Sequence, residues 1–416
     1  MTLDQLHSNL EAFKAKKLEL DMSRGKPSEA QLDLSNQLLN TVTAEDYKTN
    51  ADIDTRNYGG LDGIPEAKEL FKHFLEVSSI DEVVVGGNAS LTIMHDIISR
   101  AITHGVPGSL LPWGKQTVKF LCPSPGYDRH FSICEHFGIE MITVSTNEDG
   151  PDMDEIERLV SEDESIKGIW MVPKYNNPTG LSCSDGIVDR LSKMYTAAKD
   201  FRIFWDNAYA VHHLSEEHDE VKNILDTCKA EGHENRPFIF GSTSKITFAG
   251  AGVAAVGGSV ENMDWYRGHL FFSSIGPDKI NQVRHTRFFK SIEAVHVHMK
   301  KHAELLKPRF EKTLAILDEE LGGTGLATWT TPKGGYFISF NVVKGTAKRV
   351  VALASEAGVK LTSAGATFPY KKDPNDSNIR LAPSCPTLEE IDMAMHIVCL
   401  AVKIAAKEKE QSAIVL

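Results

Sequence analysis

Five short apolar runs in this chain each end on a different polar set, and together the sets describe a site for one kind of molecule. Val83-Val84-Val85 leads into Gly86-Gly87-Asn88, and Phe120-Leu121-Cys122 into Pro123-Ser124-Pro125-Gly126-Tyr127. Ile169-Trp170-Met171-Val172 leads into Pro173-Lys174-Tyr175-Asn176-Asn177-Pro178-Thr179-Gly180. Ile203-Phe204-Trp205 ends on Asp206, with Tyr209 one turn later, and Phe238-Ile239-Phe240 ends on Gly241-Ser242-Thr243-Ser244-Lys245. Gly87 and Asn88, opening a helix, suit an anion held by backbone N–H groups and the helix dipole, although a glycine pair that simply turns the chain looks the same. Tyr127 can stack on a flat ring or pack as an ordinary aromatic. Asn-Pro-Thr-Gly is a turn sequence on any protein. Asp206 is more telling, because a carboxylate at a buried strand end needs a cationic partner. Lys245 lies between hydroxyls and a run of glycines and apolar residues, a crowded place where a lysine can bind an aldehyde as a Schiff base. Taken together, the parts fit a cofactor with a phosphate, an aromatic ring, a phenolic oxygen and a ring nitrogen.

To bring such residues together, the runs must be neighbouring strands of a largely parallel sheet, whose ligands bind at the carboxyl ends. The strands are expected at residues 82–85, 118–122, 140–144, 168–172, 202–205, 237–240 and 253–256, with helical stretches such as 91–103, 153–159 and 187–199 between them. Several are apolar nearly throughout, as strands covered on both faces should be. After about residue 280 the pattern becomes long, charged helical segments, expected to break near Pro308, and then a shorter α+β region opened by Gly322, Gly323 and Gly325. Residues 1 to about 50 cannot hold a core alone. The fold expected is therefore α/β, with a mostly parallel seven-stranded sheet in a large domain at 50–295 and a smaller α+β domain built from 1–49 and 296–416.

Composition agrees. The chain has 416 residues, more than one core usually serves. Its 45 Lys and Arg against 57 Asp and Glu leave a net charge of −12 with no basic stripe, so nucleic acid is not an expected partner. Residues 397–406 are apolar but interrupted by Lys403, short of the roughly 20 residues of a membrane span. Leu3, Leu6, Leu10 and Phe13 among charged neighbours read as an amphipathic helix and not as a leader peptide. The cysteines at 122, 134, 183, 228, 385 and 399 form no Cys-x-x-Cys pair, which points to reduced thiols and a cytoplasmic location. Neither His212-His213 nor His296 with His298 has a third ligand in the pattern, so no metal is expected.

On these residues the chain resembles the fold-type I pyridoxal-phosphate aminotransferases across nearly its whole length. The ordered signals are Asn177-Pro178-Thr179-Gly180, Asp206-Asn207-Ala208-Tyr209, Ser242-Thr243-Ser244-Lys245 and Ile379-Arg380-Leu381. The wording of Arg24-Gly25-Lys26-Pro27, of residues 125–131 and of residues 245–253 is similar to the bacterial aspartate aminotransferases related to the MocR-type domain.

The resemblance implies pyridoxal 5′-phosphate as cofactor and a role for each residue. Lys245 is the Schiff-base lysine and moves the substrate proton. Asp206 holds the pyridine nitrogen protonated, supported by His130. Asn177 and Tyr209 bond the phenolic oxygen, and Tyr127 stacks on the ring. Gly87, Asn88, Ser242 and Ser244 hold the phosphate, with Tyr58 supplied by the partner subunit of a homodimer. Arg380 grips the substrate α-carboxylate, Gly25 closes over the substrate and Tyr336 touches it from the small domain.

One departure stands out. Many relatives carry an arginine shortly after the lysine to pair with the phosphate, where this chain reads Gly252-Val253-Ala254-Ala255. Lys115, Lys174 and Arg129 are the replacement candidates. For the distal substrate carboxylate, Arg24 is the choice, with Arg129 and a partner-subunit Arg56 as rivals. The reaction implied is L-aspartate with 2-oxoglutarate giving oxaloacetate and L-glutamate. The alternatives are alanine or aromatic specificity, a lyase on the same fold, or an effector-sensing MocR-like role. The last needs a DNA-binding module, for which about 20 residues before Arg24 are too few.

Overall fold

The seven expected strands all form, and the computed structural model, which describes residues 1–414, sets them in one sheet. They are β1 Val83–Val85, β2 Lys119–Ser124, β3 Glu140–Asn147, β4 Ile166–Met171, β5 Arg202–Asp206, β6 Pro237–Ser242 and β7 Ala254–Gly258. Their order across the sheet is β1-β7-β6-β5-β4-β2-β3, and only β7 runs antiparallel to both its neighbours. The sequence reading stopped at seven; an eighth strand of two residues, Gly150–Pro151, folds back antiparallel on the end of β3. Glu148 and Asp149 make that return, and Gly150, at φ +137°, leads the chain out of it.

The alternation of side chains along these strands separates two kinds of filling. Leu121, Ile169, Met171, Ile203, Trp205 and Ile239 face one core, which is mainly aliphatic. Phe120, Trp170, Phe204, Phe238 and Phe240 face the other as an aromatic row. Phe204 lies 4.8 Å from Trp170 and 6.0 Å from Phe240, centroid to centroid. Apolar residues on both faces are the reason these strands read as unbroken runs.

The second body joins the two ends of the chain. Its sheet is antiparallel, in the order β8 Ala327–Trp329, β9 Ile338–Val342 and β10 Asn378–Leu381. Leu20–Asp21 pairs in parallel with Val359–Lys360. The expected amphipathic helix runs from Leu3 to Lys14, opened by a Thr2/Gln5 capping box, and buries Leu6 and Leu10 in the same core as Ile391, Val398 and Val402 of the Leu388–Ile414 helix. No helix among the described residues is long and apolar enough to cross a membrane.

The break expected at Pro308 is not there. The chain turns earlier, at Lys290 with φ +58°, and one helix then runs from Ile292 to Leu321 straight through the proline. Pro308 has no N–H for the carbonyl of Glu304, but both residues are exposed, so the carbonyl is open to solvent and the missing bond costs little. That helix belongs to both bodies: Val295 and Met299 pack in the aliphatic core of the large sheet, while Leu306, Phe310 and Leu317 pack in the small one.

Candidate active site

The anion cradle is made where β1 and β6 end. Gly87 turns the chain at φ +73°, and the Ser90–His104 helix begins behind it. Its N-cap is Ala89, which supplies no side-chain bond, so the first N–H groups are left for an anion. Ser244 Oγ donates to the Asn88 carbonyl at 2.7 Å and stands 3.2 Å from Ser242 Oγ. Gly252 must be glycine for the loops to pass: a Cβ there would lie 2.9 Å from Ser244 Oγ and 3.0 Å from the Asn88 carbonyl.

Of the cations suggested for this cradle, none sits in it. Lys115 is exposed at the far end of the same helix, beside the Ile102 carbonyl that packs against Gly114. Lys174 is drawn to Glu220 at 3.6 Å, and Arg129 is exposed. A lysine that the sequence reading passed over, Lys279, is buried and donates to the Gly59 carbonyl at 2.8 Å, next to Tyr58, which is 80% exposed. Nothing in its sequence context distinguishes it from a surface lysine.

Asp206, the last residue of β5, is buried with His130, whose Nε2 lies 2.9 Å from Oδ2. The imidazole is stacked on Trp170 at 4.4 Å and 10°, with Tyr127 edge-on to it at 4.9 Å. The other oxygen, Oδ1, is buried and has no partner among the described residues. An orphaned carboxylate oxygen in such a place calls for an N–H donor, which a protonated ring nitrogen supplies. Burial, with the charges of Asp206 and Asp128 behind it, pushes the Tyr127 phenol up to about 12. Lys245 Nζ stands 4.9 Å above the ring of Tyr209. Burial lowers its pKa and the charge of Arg380 adds to that, against the opposing pull of Asp206. A lysine so placed has its neutral, nucleophilic form favoured.

The facing side comes from the other body. Arg380 on β10 donates from Nη1 to Asn177 Oδ1 at 3.1 Å and to Asp128 Oδ1 at 3.0 Å, with its guanidinium 4.8 Å from the centre of the Phe337 ring. Asn177 thereby spends its carbonyl on the arginine and keeps its NH₂ to donate elsewhere. Gly25 passes so close to Phe337 that a Cβ would fall 2.3 Å from Cζ. Arg24 beside it is exposed, with no side-chain partner among the described residues, whereas Arg56 is bound to Asp54 and lies 3.8 Å over Tyr47.

Tyr336 does not line the substrate space as expected. It is fully buried, and its hydroxyl donates to the Lys245 carbonyl at 3.2 Å while accepting from Gln31 Nε2 at 3.1 Å. Phe337 is the residue that meets Arg380 and Gly25. Behind Tyr336 lies a polar chain that the sequence gave no sign of. Gln31 Oε1 accepts the Ser28 N–H at 3.0 Å, so its amide hydrogens point to Tyr336 and to His302 Nδ1, the latter at 3.1 Å. His302 therefore carries its proton on Nε2, 3.1 Å from His298 Nε2; accepting that proton leaves His298 Nε2 without a hydrogen for the Ile246 carbonyl 2.9 Å away, so the two contacts are alternatives. Burial, then the neighbouring His298, brings His302 down to about 4. The Lys245 carbonyl is thus held by Tyr336, which Gln31 of the N-terminal segment and, through it, His302 of the bridging helix keep in place.

The chain is similar to several known proteins. A family model described as aspartate amino-transferase matches residues 2–413. Aspartate aminotransferase of Corynebacterium glutamicum is 49% identical over 406 residues, 97% of this chain and 94% of its own. A Mycolicibacterium smegmatis protein whose name says aminotransferase without a substrate is 51% identical over 403 residues, 96% of this chain and 94% of its own. A crystal structure of an aspartate transaminase from Corynebacterium glutamicum matches with a TM-score of 0.95 at 49% identity, covering 98% of this chain and 96% of that one.

Proposed function

This chain belongs to the aspartate amino-transferase family, and from that premise we propose that it is a pyridoxal-phosphate enzyme moving the amino group of L-aspartate to 2-oxoglutarate. The observation that carries the reading is the buried, unpartnered Asp206 Oδ1 among the ends of β1, β5 and β6, with Lys245 close by. When bound, the cofactor supplies an aldehyde for a lysine and a ring that draws electrons from the bond being broken.

The rest is work for the chain's own residues. Asp206, held by His130, keeps a proton on the ring nitrogen. Lys245 Nζ takes the proton from the substrate Cα and would hand it to the cofactor's aldehyde carbon, on the far side of the amino nitrogen, a transfer its lowered pKa favours. Asn177 and Tyr209 donate to the phenolic oxygen. Tyr127, edge-on to His130, offers its face to the ring. Gly87, Asn88, Ser242 and Ser244 hold the phosphate, and the exposed Tyr58 serves the site of a second copy, which makes the working enzyme a homodimer. Arg380 binds the α-carboxylate as a fork that lysine cannot copy. Gly25 closes over the substrate, and the unpaired Arg24 beside it takes the distal carboxylate. Tyr336 acts through the Lys245 carbonyl, as a positioning residue.

The test is one half-reaction. Protein loaded with pyridoxal phosphate is mixed with L-aspartate and no keto acid, and its visible absorption is followed. Loss of the band with one oxaloacetate per site supports the reading. Pyruvate with ammonia would make it a lyase, and a band that only alanine or tyrosine removes would replace the substrate.

A further inference from the structure

Asp128 has a carboxylate and one partner for it. We infer that Asp128 is an internal stand-in for the substrate: it holds Arg380 when no amino acid is bound, and the incoming α-carboxylate must compete with it. The inference rests on the reading of Arg380 as the carboxylate-binding arginine.

Asp128 is the first residue of the Asp128–Phe137 helix, where an acidic side chain usually caps backbone N–H groups. Here it caps none. The N-cap is Tyr127, with no side-chain bond, and the only hydrogen bond to the Asp128 carboxylate among the described residues comes from Arg380 Nη1 at 3.0 Å. The helix therefore does not explain where this carboxylate points. The arginine does.

Arg380 is itself incompletely used. Nη1 serves both Asp128 and Asn177, Nη2 reaches the Ser23 carbonyl only at 3.5 Å, and Nε is buried without a partner. The guanidinium thus keeps hydrogens for a second carboxylate, while its charge is already matched by the first. A ligand carboxylate gains less from a matched charge than from a free one, and must push Asp128 toward solvent to gain the rest. Asp128 can move that way: its side chain is 35% exposed, against 9% for Arg380.

Succinate, the carbon skeleton of aspartate without its amine, isolates this step from chemistry. Its dissociation constant is measured on protein loaded with pyridoxal phosphate, by the change in cofactor absorption, for wild type, Asp128→Asn, Asp128→Ser and Arg380→Lys. Asp128→Asn keeps an acceptor for Nη1 and removes the charge. It is expected to tighten succinate roughly five- to tenfold and to lower the KM for L-aspartate by a similar factor. Asp128→Ser repeats the measurement should the amide variant not fold. Binding unchanged or weakened in both variants overturns the inference, since Asp128 would then only orient Arg380. The two failures are separable. If Arg380→Lys loses succinate and Asp128→Asn does not tighten it, the competition is wrong and the arginine right. If Arg380→Lys binds as wild type does, the arginine's role falls, and the inference with it.

Discussion

The two sides of the site are put together differently. The cofactor side is a row of strand ends: Asp206 closes β5, Ser242 closes β6, and Gly87 follows β1 within two residues. Each is placed by a strand whose side chains are buried on both faces. The covering side is made of pieces that meet only through the fold. Arg380 touches Ser23 across 357 residues of sequence, and Gln31 touches Tyr336 across 305. The first side is placed by those strands alone. The second is held by polar contacts that can be exchanged, Asp128 among them. Loss of a cofactor-side group should therefore cost rate, while loss of a covering group should cost substrate affinity.

Lys245→Ala is the harshest test, because it removes the buried amine on which the charge of Asp206 acts; turnover should fall by about 10⁴. Asp206→Asn should lower kcat by about 10²–10³ with the fold intact, the scale of removing one preorganised electrostatic partner. A loss confined to KM would break the division. The third test addresses the joint between the sides. His302 falls from about 6.5 to about 4 on folding, so between those values the unfolded chain holds a proton that the native one does not. Stability is full above pH 6.5 and is lost as pH falls toward 4, by about 2 kcal/mol between pH 7 and pH 5 from this residue. In His302→Gln the difference in melting temperature between those pH values should shrink; an unchanged difference removes His302 as the cause. Arg380→Lys should raise the KM for aspartate roughly 10- to 50-fold with kcat less affected, as one bidentate charged contact is lost. Tyr58→Phe, the mildest, should weaken retention of pyridoxal phosphate about fivefold, one hydrogen bond's worth. Equal retention would argue against a site shared between two copies.

The same division decides what could be read in the sequence. A strand buried on both faces is an apolar run, and whatever follows it lands on the ligand edge, so Asp206, Asn177, Ser242 and Lys245 could be named from local order. The covering side has no local signature. Phe337 is one position from Tyr336, and only the register of β9 against β10 says which of them meets Arg380. Asp128 stood within a recognised stretch but had no role until Arg380 was brought to it from 252 positions away. His298 enters the sequence reading only beside His296, in a metal pattern without a third ligand, and nothing in its spacing or in that of His302 reveals that they lie behind the loop of the lysine. At Pro308 the local rule was sound but outweighed: exposure of the Glu304 carbonyl to water makes the missing bond tolerable.

That proline also has a mechanical meaning. The Ile292–Leu321 helix is clamped at Val295 and Met299 by one core and from Leu306 onward by the other, so it is a beam built into two walls. Its one missing rung falls just past the point where the walls part. A beam bends where its section is weakest, and from there to Leu321 the arm is ~20 Å, so a flexure of about 5° carries the far end about 2 Å. His298 and His302 lie on the anchored side of that point, and Arg309 on the moving side, bonded to Ser28 and Ser384. Motion of the small body therefore leaves His298 and His302 with the large core, while Tyr336, which packs in the small core, carries that motion to the Lys245 carbonyl: the beam flexes between two of the fixtures that hold the tool.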